Sequence, residues 1–98
     1  MARRRIIRPE ADYDLDSIWS YIAADSPRAA DAMIDRITEA FDMLLTVPQA
    51  GRIRREFGKE LRSFPVDSYM IFYKATAEGI EVTRVMSGRQ DIDADDVK

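Results

Sequence analysis

The pattern of apolar and polar positions divides the chain into two helical and four extended segments. Residues 3–8 read as a short strand with Ile6 and Ile7 as its apolar content, stopped by Pro9. Pro9 suits the first turn of a helix, where its missing N–H costs little, and Glu10 and Asp12 follow where the helix dipole favours acids. Ala11, Leu15, Ile18 and Ile22 recur at helical spacing, with Trp19 widening the stripe, and predict a helix to about Ala24. Asp25-Ser26-Pro27 breaks it. Pro27 disfavours helical geometry at Ser26, and the Ser26 hydroxyl can cap the helix that Pro27 begins. Ala30, Met33, Ile34, Ile37, Phe41, Leu44 and Leu45 share one face of that second helix, which ends near Val47-Pro48. A short connection between two amphipathic helices makes an antiparallel helical hairpin, whose apolar stripe needs a further surface to cover it.

The second half of the chain changes period. Residues 48–60 are punctuated by Pro48, Gly51 and Gly58 and read as a loop. Residues 61–66 form a strand, and Pro65 places it at a sheet edge or at its own end. Asp67-Ser68 is a tight turn. Residues 69–74, Tyr-Met-Ile-Phe-Tyr-Lys, are the strongest strand in the chain, apolar on both faces. Glu78-Gly79 turns again, and residues 80–86 alternate like a half-buried strand. The expected fold class is α+β in the order β-α-α-β-β-β. A helical hairpin should pack on a mainly antiparallel four-stranded sheet within one domain spanning residues 1–98. Residues 91–98 read as a flexible acidic tail with little to bury.

Length and composition narrow what such a domain can do. With 98 residues the stability margin is thin and no large substrate cavity can be walled off, so function should sit on an exposed face, a loop or a tail. The absence of cysteine excludes thiol chemistry and disulfides. The absence of histidine removes the commonest general acid/base and zinc ligand. No apolar run approaches the length of a membrane span, and the start lacks a signal-peptide core, so a cytoplasmic location without membrane contact is expected. The formal net charge of −3 argues against nonspecific nucleic-acid binding by bulk charge. The charges are nevertheless segregated. Arg3, Arg4, Arg5 and Arg8 crowd the first strand, and Arg52, Arg54, Arg55, Lys59 and Arg62 form a second basic cluster. Glu10, Asp12, Asp14 and Asp16 are acidic, as are Asp91, Asp93, Asp95 and Asp96. Solvated surface is the plain reading of each run. Asp91-Ile92-Asp93-Ala94-Asp95 resembles the opening of a calcium loop, but Asp96 replaces the glycine required next and the twelfth-position glutamate is missing, so no metal site is expected.

The order of these segments, with the words along them, resembles the RelE/ParE toxin superfamily. Arg8-Pro9-Glu10-Ala11 and Asp14-Leu15-Asp16-Ser17-Ile18-Trp19-Ser20-Tyr21-Ile22 are similar to that family's first helix. Ser26-Pro27-Arg28-Ala29-Ala30 is similar to its break, and Pro48-Gln49-Ala50-Gly51-Arg52 to its loop. Leu61-Arg62-Ser63-Phe64-Pro65-Val66, Tyr69-Met70-Ile71-Phe72-Tyr73 and Thr83-Arg84-Val85-Met86-Ser87-Gly88-Arg89-Gln90-Asp91 are similar to its last strands and tail. No single word is specific; their order and spacing are. The resemblance implies a toxin of a type II toxin–antitoxin system. In the ParE branch the target is DNA gyrase; in the RelE branch the toxin cuts messenger RNA on the ribosome. It implies a cognate ParD-like antitoxin, encoded by a small neighbouring frame, whose flexible C-terminal part wraps the toxin. Operator DNA is then met only indirectly, through the antitoxin. A toxin-like subunit that acts only in the repressor complex is a further alternative.

Candidate residues follow from these alternatives. RNA cleavage needs a base, an acid and positive charge on the phosphate. Arg54, Arg55, Arg62 and Arg84 could supply the charge, but Ser87 stands where the family often has histidine, and no tyrosine follows Tyr73. Glu56 and Glu60 read first as partners of neighbouring arginines. Gyrase inhibition needs no bond-making residue and no cofactor, only a surface that favours one state of the target. Arg62, Arg84, Ser87 and Arg89 are the target-contact candidates, although strand alternation sets Arg84 beside Ile80 and Val82, where it could equally pair with an acid as structural support. Apolar residues beyond what one small sheet face should cover nominate Trp19, Phe41 and Met43 for antitoxin binding, with Tyr69. Trp19 and Tyr69 also read as packing residues.

Overall fold

The computed structural model describes residues 3–58, 60–88, 92 and 94–97. Strand β1 (Arg4–Ile7) leads into helix α1 (Pro9–Ala23), with Pro9 in its first turn. Helix α2 (Pro27–Thr46) starts where Ser26 turns extended, and the Ser26 Oγ accepts the Ala29 N–H at 3.1 Å. That bond satisfies one of the donors a helix start leaves open. The expected break and cap therefore stand in place.

Strands β3 (Leu61–Val66), β4 (Tyr69–Ala75) and β5 (Gly79–Ser87) form the antiparallel meander. Asp67 turns the first hairpin at φ 53°, a left-handed conformation that a short polar side chain tolerates. At Gly79 a Cβ would lie 2.0 Å from the Arg4 carbonyl oxygen, so only glycine lets β1 pass so close. β1 pairs parallel with β5, which puts the N-terminal strand at the far edge.

Among the described residues the sheet has five strands, not four; with β2 at Arg52–Ile53, their order is β1-β5-β4-β3-β2. The extra member, β2 (Arg52–Ile53), lies within the expected loop and pairs with Ser63 and Arg62. Two residues are too few to show a period, so only the fold reveals it. β2 begins opposite Ser63 and runs away from Pro65, which leaves the ring nitrogen of Pro65 on a free stretch of edge where no donor is needed.

The helical hairpin covers one sheet face. Ala11 and Ile18 of α1 and Ile37, Phe41 and Leu44 of α2 meet Ile71, Tyr73, Ile80, Val82 and Val85 there. A large apolar side chain fully buried in this way contributes about 1.5–3 kcal/mol before the entropy of ordering it. The second face has a smaller core of Leu61, Phe72, Met86 and Val97, flanked by Phe57, Met70 and Ile92. That cluster corrects the reading of residues 91–98 as a tail with little to bury. Ala94–Val97 form a short helix, α3, and Val97 has no exposed surface. The spacing of Ile92 and Val97 among aspartates looks like a solvated run; burial follows because the apolar second face of β4 and β5 needs a cover.

Candidate functional site

A β-bulge organises the centre of the sheet. Phe72 pairs with Arg84 but Tyr73 pairs with Val82, so Thr83 is the extra residue of β5. Val82 and Val85 both face the helices, and Thr83 and Arg84 lie between them. Simple alternation does not survive this step. The Thr83 Oγ1 lies 2.6 Å from the Val97 carbonyl oxygen and 3.2 Å from that of Phe72, so it ties α3 to the bulge.

Arg84 is held on two sides. Its Nε donates to Asp14 Oδ2 at 2.7 Å and its Nη2 to Asp14 Oδ1 at 2.9 Å, a bidentate pair between β5 and α1. Its Nη1 donates to the Asp96 carbonyl at 3.0 Å. Asp14 Oδ2 also accepts the Val85 N–H at 2.9 Å, which serves the edge of β5 beyond the last β1 residue. The hydrogen bonds that Arg84 donates to Asp14 raise its pKa above the ordinary value. Of the two readings of Arg84, its contacts are those of structural support. Asp14 itself could have been singled out, because it sits within the buried stripe of α1 between Ala11 and Ile18.

Beside this pair a cleft of about 710 Å³ opens between α1, the β3–β4 turn and the end of β5. Tyr13, Tyr21, Tyr69, Arg84 and Ser87 line it. Tyr13 and Tyr21 are 73% and 79% exposed, on the flank of α1 beside buried Asp14 and Ile18. They were missed in the sequence, although Tyr13, Ser17 and Tyr21 stand at i, i+4 and i+8 and mark a polar-aromatic row. Burial, and then the neighbouring Tyr21, pushes the Tyr69 phenol above its ordinary pKa. A second cleft of about 730 Å³ at the opposite end, beside Arg3, Arg4 and Glu78, contains no residue nominated from the sequence.

The other nominated residues separate. Phe41 is 1% exposed and fills the core, so it presents no surface to a partner; the face of α2 that carries it is the one the sheet covers. Met43 is half-buried against the same core. Trp19 is 39% exposed, and its Nε1 donates to Asp31 Oδ1 at 2.8 Å, bracing α1 against α2. Ser87 ends β5 opposite Tyr69. Arg89 lies outside the described residues, as do Asp91 and Asp93 of the calcium-like run. Among the described residues no group of three or more acidic side chains could hold a metal ion. No helix there is long and apolar enough to cross a membrane.

Arg54 belongs to the loop between α2 and β3, and Arg62, on β3, reaches back to that loop. The Arg54 guanidinium lies 4.9 Å from the Phe57 ring and 5.7 Å from the Phe72 ring, and donates to Ser63 Oγ and Glu56 Oε2, each at 3.1 Å. Arg62 Nη1 donates to the Gly51 carbonyl at 2.8 Å. The Tyr73 hydroxyl donates to the Pro48 carbonyl at 2.7 Å and accepts the Gly51 N–H at 2.8 Å. Glu56 is held below the usual carboxylate range by its own backbone N–H and by Arg54, which makes it a weaker base. Of the four arginines that could serve a nuclease, Arg54, Arg62 and Arg84 are thus bound into the structure, and only the Arg55 guanidinium makes no bond among the described residues.

Comparison with known proteins gives one answer at three levels. Over 92% of this chain and 92% of the relative, the chain is 28% identical to Toxin ParE3 of Caulobacter vibrioides. Its fold matches a solved chain of the chromosomal ParDE TA system from P. aeruginosa with a TM-score of 0.73 at 19% identity, covering 87% of this chain and 95% of that one. Residues 5–92 match the family described as ParE toxin of type II toxin-antitoxin system, parDE. The order of strands and helices, the shared fold and a match over most of the chain place this protein in the ParE toxin family.

Proposed function

We propose that this ParE toxin arrests growth by binding DNA gyrase through protein–protein contact and is held inactive by a ParD-like antitoxin. The observation that carries the reading is the internal use of Arg54, Arg62 and Arg84. A phosphodiester-cleaving site needs free cations around a base, whereas a gyrase poison needs a surface. Arg62 and Arg84 then support that surface from within, and Ser87 and Arg89 stay candidates for direct contact.

The tyrosine-lined cleft is the place proposed for the antitoxin. Tyr13, Tyr21 and Tyr69 combine large apolar rings with hydroxyls, a composition suited to gripping a segment that orders on binding. Trp19 and Met43, on the helical hairpin outside that cleft, stay further candidates for antitoxin contact, and Phe41 is core. Operator DNA is met through the antitoxin. Induction of the toxin alone, with pulse-labelling of DNA and protein synthesis, tests the target. DNA synthesis should fall first, and purified toxin should inhibit supercoiling. Early loss of translation, with transcripts cut on the ribosome, would instead identify a nuclease. Co-expression with the neighbouring small frame should give a stable complex that Tyr13→Ala with Tyr21→Ala weakens about tenfold or more, the scale of losing one or two aromatic anchors.

A further inference from the structure

The two edges of the sheet are built differently. One is guarded: β2 has only two residues, and the edge of β3 beyond it carries Pro65, which has no N–H to offer. The other edge is β1, and among the described residues no strand lies beyond it. The N–H groups of Arg4 and Arg8 donate to the Glu78 and Val82 carbonyls at 2.8 and 3.0 Å, so the even-numbered positions of β1 face β5. In a parallel ladder the residues between them turn both backbone groups the other way. Arg5 and Ile7 therefore present their N–H and C=O groups outward, and among the described residues no partner meets them. The side chains of β1 divide between the two faces. Arg5 bonds Asp42 and the Thr38 carbonyl of α2, and Ile7 packs on the helix-side core. Arg4 and Ile6 therefore lie on the second face, where Ile6 is 48% exposed. The ion pair of Arg4 with Glu78 is 3.8 Å long and mostly exposed on both sides, so it is weak. Arg3 donates to the Leu45 carbonyl, a neutral group that does not cancel its charge.

We propose that β1 is a docking edge at which an extended acidic segment of the antitoxin adds a sixth strand to the sheet. This rests on the reading that an antitoxin holds the toxin inactive. The contact is separate from the tyrosine-lined cleft, which no residue of β1 lines. Ladder bonds to Arg5 and Ile7 supply affinity, and alternate side chains supply specificity: an apolar residue beside Ile6 and a carboxylate toward Arg4. A second copy of this chain is the poorer occupant. Antiparallel pairing of two β1 edges, in the register that satisfies all the outward groups, sets Arg4 across from Arg8 of the second copy. Like charges directly opposite destabilise a strand pair. The arginines thus bar self-pairing and favour an acidic strand.

The test uses the full chain, alone and in complex with the antitoxin from the neighbouring small frame. Amide exchange is the first readout. In the toxin alone the Arg5 and Ile7 amides should exchange fast, and those of Arg4 and Arg8 slowly. In the complex the Arg5 and Ile7 amides should slow by at least about tenfold, as amides do on entering a ladder. The second readout is Arg5→Pro set beside Arg5→Ala. Both lose the Asp42 pair, but only proline removes the outward N–H, at an edge position where a strand tolerates it. Arg5→Pro should bind the antitoxin more weakly than Arg5→Ala by about tenfold or more, the scale of one hydrogen bond left unmade. Arg4→Glu should also weaken the complex, most at low salt. Unchanged exchange at Arg5 and Ile7 in a stable complex overturns the edge; if Tyr13→Ala with Tyr21→Ala still weakens that complex, the cleft reading survives. Equal affinity of folded Arg5→Pro and Arg5→Ala overturns the edge too. Slowing of the same amides in concentrated toxin alone, with a dimer in sedimentation, would assign the edge to a second copy and overturn the proposal as well. A chain that binds no antitoxin overturns both readings.

Discussion

At the scale of single residues, most of the polar side chains that matter bind the chain to itself. Asp14 accepts from Arg84 and from the Val85 N–H, with side-chain exposures of 10% and 25% for the ion pair. Asp14→Asn removes the charge and leaves the guanidinium partly buried and uncompensated. It should cost about 2–4 kcal/mol in urea unfolding, since orphaning one member of such a pair costs more than the pair contributes. Asp14→Leu combined with Arg84→Met should recover part of that loss; a double variant as unstable as the sum of its parts would show that the two do not act as a unit. Gly51→Ala drives a methyl into the Tyr73 ring, with 2.6 Å to Cε1, and a pinned, buried ring cannot swing away. A destabilisation of about 1–3 kcal/mol should follow, and a neutral result would mean that the loop is free to shift. Neither pairing was legible in the sequence. Asp14 is distant from Arg84 along the chain, and charge runs look alike whether solvated or paired.

Individual elements were easier to foresee where their period is long. Both helices, the Ser26 cap and the three meander strands follow from apolar spacing and from proline and turn residues, because those signals act within a few residues. The bulge at Thr83 and the two-residue β2 were not foreseen, because each is decided by its neighbour in the sheet. The loop held by Tyr73 carries a pH signature. Burial raises the Tyr73 pKa above the usual tyrosine value, partly offset by the Gly51 N–H. The sign follows directly: the folded state prefers the neutral phenol, so this contribution is complete below the unfolded pKa of about 10 and is lost as pH rises through the folded value. Stability should therefore fall above about pH 10, and Tyr73→Phe should flatten that alkaline slope. At neutral pH the same variant should cost about 1–3 kcal/mol, because the Gly51 N–H loses its acceptor. Hydrogen exchange at the Gly51 amide should quicken in parallel. An unchanged alkaline slope would show that another group governs it.

For the whole molecule, the two-sided sheet sets the logic. The helical hairpin closes one face, and α3 helps to close the other through Val97. Truncation after Met86 therefore does more than remove a tail: it uncovers Leu61, Phe72 and Met86 and takes away the Thr83 and Arg84 contacts to α3. Val97→Ala should lower stability by about 1–3 kcal/mol, and the truncated chain should melt well below the intact one. Loss of toxicity on truncation thus needs a folding control before it is assigned to Arg89. An unaltered melting midpoint in both variants would return residues 92–97 to the status of a solvated tail. The sequence by itself determined the β-α-α-β-β-β order, the helical hairpin, the apolar two-faced β4 and the likeness to the RelE/ParE superfamily, because hydrophobic period and turn chemistry are local. Only the tertiary structure decided that Phe41 is core, that Arg54, Arg62 and Arg84 hydrogen-bond within the chain, that an acidic segment buries a valine, and that Tyr13, Tyr21, Arg52, Ile53 and Arg55 are exposed. Those outcomes depend on which side chains the packed sheet brings together across long stretches of chain, and no period along the sequence encodes a partner that far away.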